Sequence, residues 1–153
     1  RRLMHPEFRI EREYAVRIKG RVDAAMLERL RAGVQLEDGL ARFDVVETNA
    51  DVPDDDEDPT EFDANYKANH WYHVLVREGR NRLVRRLWES QDVEVSRLLR
   101  VRYGPCYIPT GVKVGRGIEL SASEIAQLMQ RVDMDPPRSL ANAPKTVQNK
   151  RRR

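Results

Sequence analysis

Alternating apolar and polar residues near the start of the chain predict a β-strand. Apolar side chains recur at alternate positions, with mostly charged residues between them: Phe8, Ile10, Tyr14, Val16 and Ile18. A repeat of two is that of a strand, whose successive side chains point to opposite faces. Arg12 interrupts the apolar face, but the alternation continues beyond it. We therefore predict a strand that begins at Phe8 and ends at Gly20.

Turn and cap residues after Gly20 predict a short helix and a hairpin. Asp23 precedes a run with helical apolar spacing, and Gly33 follows it, so the two residues are suited to cap and to stop a helix. Residues 34–47 then predict two strands around Asp38-Gly39, because this dipeptide favours a tight hairpin turn.

An arginine-rich segment, EGRNRLVRRLWE at residues 78–89, follows a strand pattern at residues 70–77. Gly79 allows a sharp turn, and Asn81 is placed to cap a helix. The arginines would lie on the first two turns of that helix, where their charge opposes the helix macrodipole. We expect an anionic partner there, either phosphate or a carboxylate from elsewhere in the protein; a solvated arginine-rich face is the alternative. The arginines are Arg80, Arg82, Arg85 and Arg86.

The last third of the chain predicts further strands and a helix. In VSRLLRVRYGP, one face is predicted to carry Leu99, Val101 and Tyr103, and the other Arg100 and Arg102. The apolar pattern continues through GVKVGRGIEL, with Val112, Val114, Ile118 and Leu120 in register. Ser121 and Glu124 form a capping box that opens a helix with an apolar face. Strands and helices mix without a regular βαβ alternation, so the class is α+β, with a mixed, largely antiparallel sheet and flanking helices.

Charge is distributed unevenly along the chain. Eight carboxylates and no basic residue lie in residues 51–63; without them the net charge of +3 becomes +11 on the rest of the chain. A basic body beside an acidic segment is typical of nucleic-acid-binding proteins. We interpret residues 49–69 as a mobile inserted loop; a phosphate mimic that competes for the basic surface is the less favoured alternative. Residues 133–153, which end in KRRR, are predicted to be a disordered basic tail.

Composition excludes several other classes. The chain has 153 residues, enough for one domain, and lacks an apolar run of membrane-spanning length or a secretory h-region. Cys106 is the only cysteine, so neither a disulfide framework nor metal-site spacing is present. His70 and His73 would point to opposite faces of a strand, and we interpret both as structural. A cytoplasmic protein without a metal fits these features.

Several motifs resemble those of the RsuA-type pseudouridine synthases: LMHP, EREYAVRIKG, GVQLEDG, EGRNRLVRRLWE and RLLRVRYGP. The likeness extends to about residue 130, interrupted by the acidic segment. It implies part of the pseudouridine synthase fold and an isomerase that converts uridine to pseudouridine in ribosomal RNA without cofactor or metal. It further implies that residues 1–132 are the C-terminal part of the catalytic domain, with large-subunit ribosomal RNA as partner, no DNA or membrane partner, and a monomeric state.

The resemblance also assigns residues to roles. Tyr14 in EREYAV would pack on the flipped base and is a candidate for proton removal, and Arg85 would pair with the family's catalytic aspartate. That aspartate lies in a Gly-Arg-Leu-Asp motif upstream of LMHP. We therefore expect the printed chain, which has no initiator Met at position 1, to be a fragment that is inactive alone. The similar Gly20-Arg21-Val22-Asp23 follows the tyrosine, so Asp23 is interpreted as a helix cap. The predicted RNA contacts are Arg80, Arg82, Arg86, Arg100 and Arg102.

Two other functional classes stay open from the sequence. One is a non-catalytic RNA-binding module that kept the fold and lost the aspartate. The other, with less support, is a basic interaction protein without enzymatic activity. A Gly-Arg-Leu-Asp motif preceding Arg1 would favour the enzyme over the RNA-binding module.

Overall fold

A five-stranded antiparallel sheet with the strand order β4-β5-β1-β6-β7 organises the chain, and β2 and β3 form a separate two-stranded sheet. The structure is a computed structural model that describes residues 1–48, 70–109, 112–113 and 115–136. The strands are β1 (Arg12–Lys19), β2 (Val34–Leu36), β3 (Gly39–Ala41), β4 (Val45–Thr48), β5 (His70–Val76), β6 (Glu94–Tyr103) and β7 (Cys106–Tyr107). The helices are α1 (Ala24–Ala32), α2 (Leu83–Glu89) and α3 (Ala122–Gln130). The predicted α+β class with a largely antiparallel sheet is confirmed.

The core lies between one face of the large sheet and helices α1 and α2. Strand β1 is the central strand and contributes Val16 and Ile18, both fully buried. Helix α2 contributes Trp88, whose ring packs 5.1 Å from that of Tyr72 on β5 and 5.7 Å from that of Phe43. Each large apolar side chain buried here contributes on the order of 2 kcal/mol. Helix α2 is therefore fixed to the sheet by its apolar seam, and its arginines lie beside that seam.

Strand β1 begins at Arg12, four residues after the predicted start. Pro6–Phe8 form a 3₁₀ turn instead, and Arg9 has a left-handed backbone with φ of 45°. Proline favours the first position of a helical turn because its φ is already fixed near the helical value. The alternation at Phe8 and Ile10 therefore predicted the wrong local structure, although the strand itself is confirmed.

The predicted helix cap and hairpin are confirmed, but residues 34–47 contain a third strand. Asp23 Oδ1 accepts a hydrogen bond of 2.8 Å from the backbone N–H of Met26. Strands β2 and β3 pair around the turn that precedes Gly39. The chain then leaves the hairpin because Phe43 enters the core, and β4 pairs with β5 in the large sheet.

A β-bulge in β6 overturns the predicted faces of that strand. Tyr14 of β1 is opposite Arg100, and Glu13 is opposite Arg102, so Val101 has no partner on β1. The extra residue shifts the alternation by one position. Arg100 and Tyr103 consequently share a face, and Arg102 lies on the other. The prediction that Arg100 and Arg102 share a face was wrong.

Helix α2 starts later than predicted. Leu83 N–H donates to the carbonyl of Arg80 at 3.3 Å, which closes a turn and leaves Arg82 in the left-handed region with φ of 50°. Arg82, not Asn81, therefore occupies the N-cap position, and its side chain makes no capping hydrogen bond. Arg80 and Arg82 precede the helix; only Arg85 and Arg86 lie within it.

The end of the chain confirms one prediction and contradicts another. The capping box is present: Ser121 Oγ accepts from Glu124 N–H at 3.2 Å, and Glu124 Oε2 accepts from Ser121 N–H at 2.8 Å. Residues 112–113 and 115–120 form no strand, because a turn bonded from Arg116 N–H to the Lys113 carbonyl interrupts the extended chain. The acidic loop at residues 49–69 and most of the predicted tail, from residue 137, lie outside the described residues.

Candidate active site

A cavity of about 540 Å³ lies where β1, β6 and the turn before α2 meet. Its lining combines cations with apolar side chains. The arginines that line it are Arg12, Arg80, Arg82, Arg85 and Arg100, and the apolar residues include Val76, Leu83, Val84 and Leu98. Glu78 is the only carboxylate among its lining residues. This composition suits an anionic ligand that also has an apolar surface, as a nucleotide has.

Tyr14 reaches the cavity along the buried face of β1. It shares that face with Val16 and Ile18, which are buried in the core, so the apolar stripe of the strand continues into the cavity wall. The Arg100 guanidinium lies 5.7 Å from the centroid of the Tyr14 ring. Tyr14 is half-buried, so part of its ring is available as an apolar wall for a planar group.

Arg85 enters the same cavity from helix α2. Its Nη1 donates a hydrogen bond of 2.9 Å to the carbonyl of Val95 on β6, which fixes the orientation of the guanidinium. The remaining donors of a guanidinium fork can bind a carboxylate or phosphate in a bidentate arrangement. Tyr14 and Arg85 are therefore far apart in the sequence but line the same cavity.

Arg80 and Arg86 are held by the β2–β3 hairpin. Asp38 in the hairpin turn accepts hydrogen bonds from Arg80 Nη1 at 3.1 Å and from Arg86 Nη2 at 2.8 Å. Arg80 also bonds Glu78 Oε2 at 2.6 Å and the Leu40 carbonyl at 2.8 Å. The hydrogen bond from Arg86 is the main reason that the pKa of Asp38 is below its usual value. Both guanidiniums therefore already bind anionic groups within the chain.

Arg82 and Arg100 are the two predicted RNA contacts that are exposed and also line the cavity. The side chain of Arg82 is 63% exposed, and its Nη2 lies 3.8 Å from Glu89 Oε1, a weak surface pair. The Arg100 guanidinium lies 5.7 Å from the centroid of the Tyr14 ring and 5.5 Å from that of Tyr103. Both side chains can meet an incoming phosphate without breaking a strong ion pair.

Arg102 belongs to an ionic network on the other face of the sheet. It donates to Glu13 Oε2 at 2.6 Å and to Glu11 Oε2 at 2.9 Å. Burial opposes the charge on Arg102, but these two carboxylates outweigh it and raise the pKa of the guanidinium. His73 Nδ1 lies 2.9 Å from Glu13 Oε1, which agrees with a structural role for that histidine. The bulge in β6 separates Arg102 from the cavity.

Sequence reasoning missed Arg12 as a cavity residue. Its side chain lies on the same face of β1 as Tyr14, and the residue is 8% exposed. The guanidinium lies 5.3 Å from the centroid of the Tyr103 ring. The interruption of the apolar face at this position was the available signal, because an arginine on an inward-pointing face requires a partner or a ligand.

The fold and the sequence both match pseudouridine synthases. No protein-family model matches the chain. A solved structure, "Crystal structure of pseudouridylate synthase", superposes with a TM-score of 0.63 and 20% identity over 83% of this chain and 48% of that one. The chain therefore has a pseudouridine synthase fold.

By sequence, the chain is related to the curated proteins named ribosomal large subunit pseudouridine synthase B. It is 45% identical to the protein of Pseudomonas aeruginosa over 135 residues, which is 88% of this chain and 32% of that relative. Identity is 46% to the Haemophilus influenzae relative over 87% of this chain and 33% of that protein. For Escherichia coli K12 it is 45%, over 90% of this chain and 43% of the relative. These matches confirm the resemblance found in the motifs, and the chain spans less than half the length of these relatives.

Proposed function

We propose that this chain forms part of the active site of a pseudouridine synthase that modifies large-subunit ribosomal RNA. One observation carries the proposal. Tyr14 and Arg85, to which the family motifs assign catalytic roles, come from different elements and line the same arginine-rich cavity. The names of the related proteins support ribosomal RNA as the substrate.

The cavity suits a nucleotide whose base has left its helix. Such a base loses its stacking, and an aromatic wall compensates for part of that loss. Tyr14 supplies the aromatic wall, and Leu83 and Leu98 add apolar surface beside it. Leu83 is buried on the first turn of α2, so the wall is built on fixed elements.

Arg85 acts on the carboxylate that the family uses to start the reaction. A carboxylate in a poorly hydrated cavity tends to take up a proton, and a guanidinium held against it favours the ionised form. The hydrogen bond to the Val95 carbonyl fixes Arg85 for this task. The isomerisation breaks the bond from the sugar to nitrogen and forms one to carbon. That carbon loses a proton, which Tyr14 is the candidate to remove, and the nitrogen that has left the sugar takes up a proton. No external reactant is consumed.

We extend the proposal to a cytoplasmic monomer that binds RNA and neither DNA nor a membrane. No helix in the described ranges is long and apolar enough to cross a membrane. The cluster of arginines around the cavity supports a polyanionic ligand. Light scattering of the purified chain tests the monomeric state, and a mass of two chains would refute it.

A chimaera tests the proposed function directly. The chain replaces the matching segment of the Haemophilus influenzae relative, in cells that lack that relative, and pseudouridine is then mapped in large-subunit ribosomal RNA. We expect the chimaera to restore a missing pseudouridine and its Tyr14→Leu variant not to. Arg21→Lys, at an exposed position outside the cavity, is the matched control and should restore it.

Failure of the chimaera has a defined meaning. If it accumulates as a folded protein and binds ribosomal RNA but restores no pseudouridine, the non-catalytic RNA-binding module replaces the enzyme as the conclusion. If it binds no RNA, both nucleic-acid functions are excluded.

A further inference from the structure

Arg12 carries a buried charge that no carboxylate in the described part of the chain neutralises. Its Nη1 donates a hydrogen bond of 2.8 Å to the Ile10 carbonyl, and its guanidinium lies 5.3 Å from the centroid of the Tyr103 ring. Arg77 and Arg102, by contrast, each bind two carboxylates. Arg12 as a residue is 8% exposed, so its charge has lost much of its contact with solvent, and an anion in the cavity beside it would offset that loss.

The turn before α2 leaves space for this guanidinium. A Cβ built on Gly79 would lie 3.1 Å from Arg12 Nη2 and 3.4 Å from Cζ, closer than side chains normally approach. The φ of Gly79 is not positive, so the close approach of Arg12, and not the backbone conformation, is what favours glycine here. A Cβ at this position would press on the Arg12 guanidinium and shift it by a few tenths of an ångström.

The position of Arg12 relative to Tyr14 matches the dimensions of a nucleotide. The two residues are two positions apart on one face of β1, which separates their side chains by about 7 Å. A nucleotide whose base rests on Tyr14 has a backbone phosphate at a comparable distance from that base. Arg12 is therefore within reach of the phosphate next to the base.

We propose that Arg12 and Gly79 form a phosphate-binding subsite for the RNA backbone beside the nucleotide held at Tyr14. The proposal rests on the proposed function, since it assumes that RNA enters this cavity. Phosphate fits better than a protein carboxylate because Arg82, Arg85 and Arg100 line the same cavity and create a positive potential suited to a polyanion. The only lining carboxylate, Glu78, is bound by Arg80. The planar fork of Arg12 can hold two oxygens of one phosphate.

A chemical double-mutant cycle tests the subsite. The probe is a short synthetic RNA with a single central uridine, in which an uncharged methylphosphonate replaces one phosphate at a time. Its affinity for the chain and for the Arg12→Gln variant is measured by fluorescence anisotropy at low salt. At one linkage next to the uridine, we expect the replacement to weaken binding to the unchanged chain about tenfold. At the same linkage, the replacement should weaken binding to Arg12→Gln much less.

Two further variants keep the result interpretable. Gly79→Ala retains the charge of Arg12 but shifts its guanidinium, so it should weaken the same linkage-specific effect. Arg21→Gln removes an exposed charge elsewhere and should keep it. If Arg12→Gln does not fold, as judged by thermal unfolding, Gly79→Ala carries the test. The subsite would be refuted if, at every linkage, methylphosphonate changed the RNA affinity of the chain and of the folded variant by the same factor.

The subsite and the proposed function can fail separately. A chimaera that restores pseudouridine, together with no linkage-specific coupling to Arg12, refutes the subsite and leaves the enzyme. A chimaera that restores none, together with coupling at one linkage, refutes the enzyme and leaves a phosphate-binding RNA module.

Discussion

At the scale of single residues, Arg82 and Arg85 are three positions apart but have different surroundings. Arg85 is half-buried and fixed to the Val95 carbonyl, whereas Arg82 is exposed and held only by a weak pair with Glu89. Arg85→Lys keeps the charge but loses the planar fork. We predict that this variant of the active chimaera loses activity on the order of a hundredfold, as when one fixed donor to a reacting group is lost. The measurement is single-turnover conversion with the enzyme in excess, which separates chemistry from binding.

Arg82→Lys is the matched control for this prediction. It should mainly weaken RNA affinity, and lower salt should relieve the loss, because a phosphate contact is electrostatic. Normal turnover by Arg85→Lys with slow turnover by Arg82→Lys would reverse the two roles. If neither variant differs from the unchanged chimaera, the arginines form a solvated surface.

Individual residues also show which parts of the candidate site could be predicted from the sequence and which could not. Tyr14 and Arg85 were selected through family motifs, since periodicity alone makes Tyr14 a core residue. Arg12 could have been selected from the sequence, because its charge breaks an apolar face. The pairing of Arg86 with Asp38 could not, since it joins positions 48 residues apart through the packing of a hairpin against a helix.

At the scale of elements, the β2–β3 hairpin holds the arginine-rich segment in place through Asp38. We predict that Asp38→Asn lowers the melting temperature at neutral pH, because Arg80 and Arg86 lose their shared carboxylate. The pKa of Asp38 is held below its usual value, chiefly by the hydrogen bond from Arg86, so the stabilisation is present above the pKa of the unfolded chain. It is lost as pH falls through the lower folded pKa.

Thermal unfolding across this pH range checks the prediction. The difference between the chain and Asp38→Asn should be largest near neutral pH and disappear in acid. Glu37→Gln is the control, because it removes an equal charge from the same turn, whereas the Glu37 side chain makes no hydrogen bond within the described residues. A melting temperature of Asp38→Asn equal to that of the chain at neutral pH would contradict a holding role.

At the scale of the whole molecule, we expect contacts between arginine side chains and RNA phosphates to contribute most of the RNA affinity. Each phosphate neutralised lowers the logarithm of the binding constant by roughly 0.7–0.9 per unit of log salt. We predict a steep salt dependence for the chain and a smaller slope for Arg100→Gln. Arg86→Gln should change the slope less, because Arg86 already binds Asp38. Titrations of a ribosomal RNA fragment at several salt concentrations measure this, and a flat dependence would refute phosphate-dominated binding.

The local sequence pattern predicted most of the helices and strands, but it did not predict how they are arranged in the fold. Caps at Asp23 and Ser121 and the hairpin before Gly39 are set by nearby residues, so the sequence predicted them. Strand β4 was missed because its partner, β5, lies beyond residues 49–69. The start of α2 was misplaced because a turn bonded at Arg80 delays it.

The bulge at Val101 has a consequence for how this strand can change in length. Val101 has no partner on β1, so a chain that loses this residue can keep Tyr14 opposite Arg100 and Glu13 opposite Arg102. Loss of Leu99, two residues earlier, would instead send Arg100 to the far side of the sheet unless the strand slipped. An alignment gap in the second half of this strand therefore belongs at Val101, where an insertion or deletion leaves both arginines beside their present neighbours.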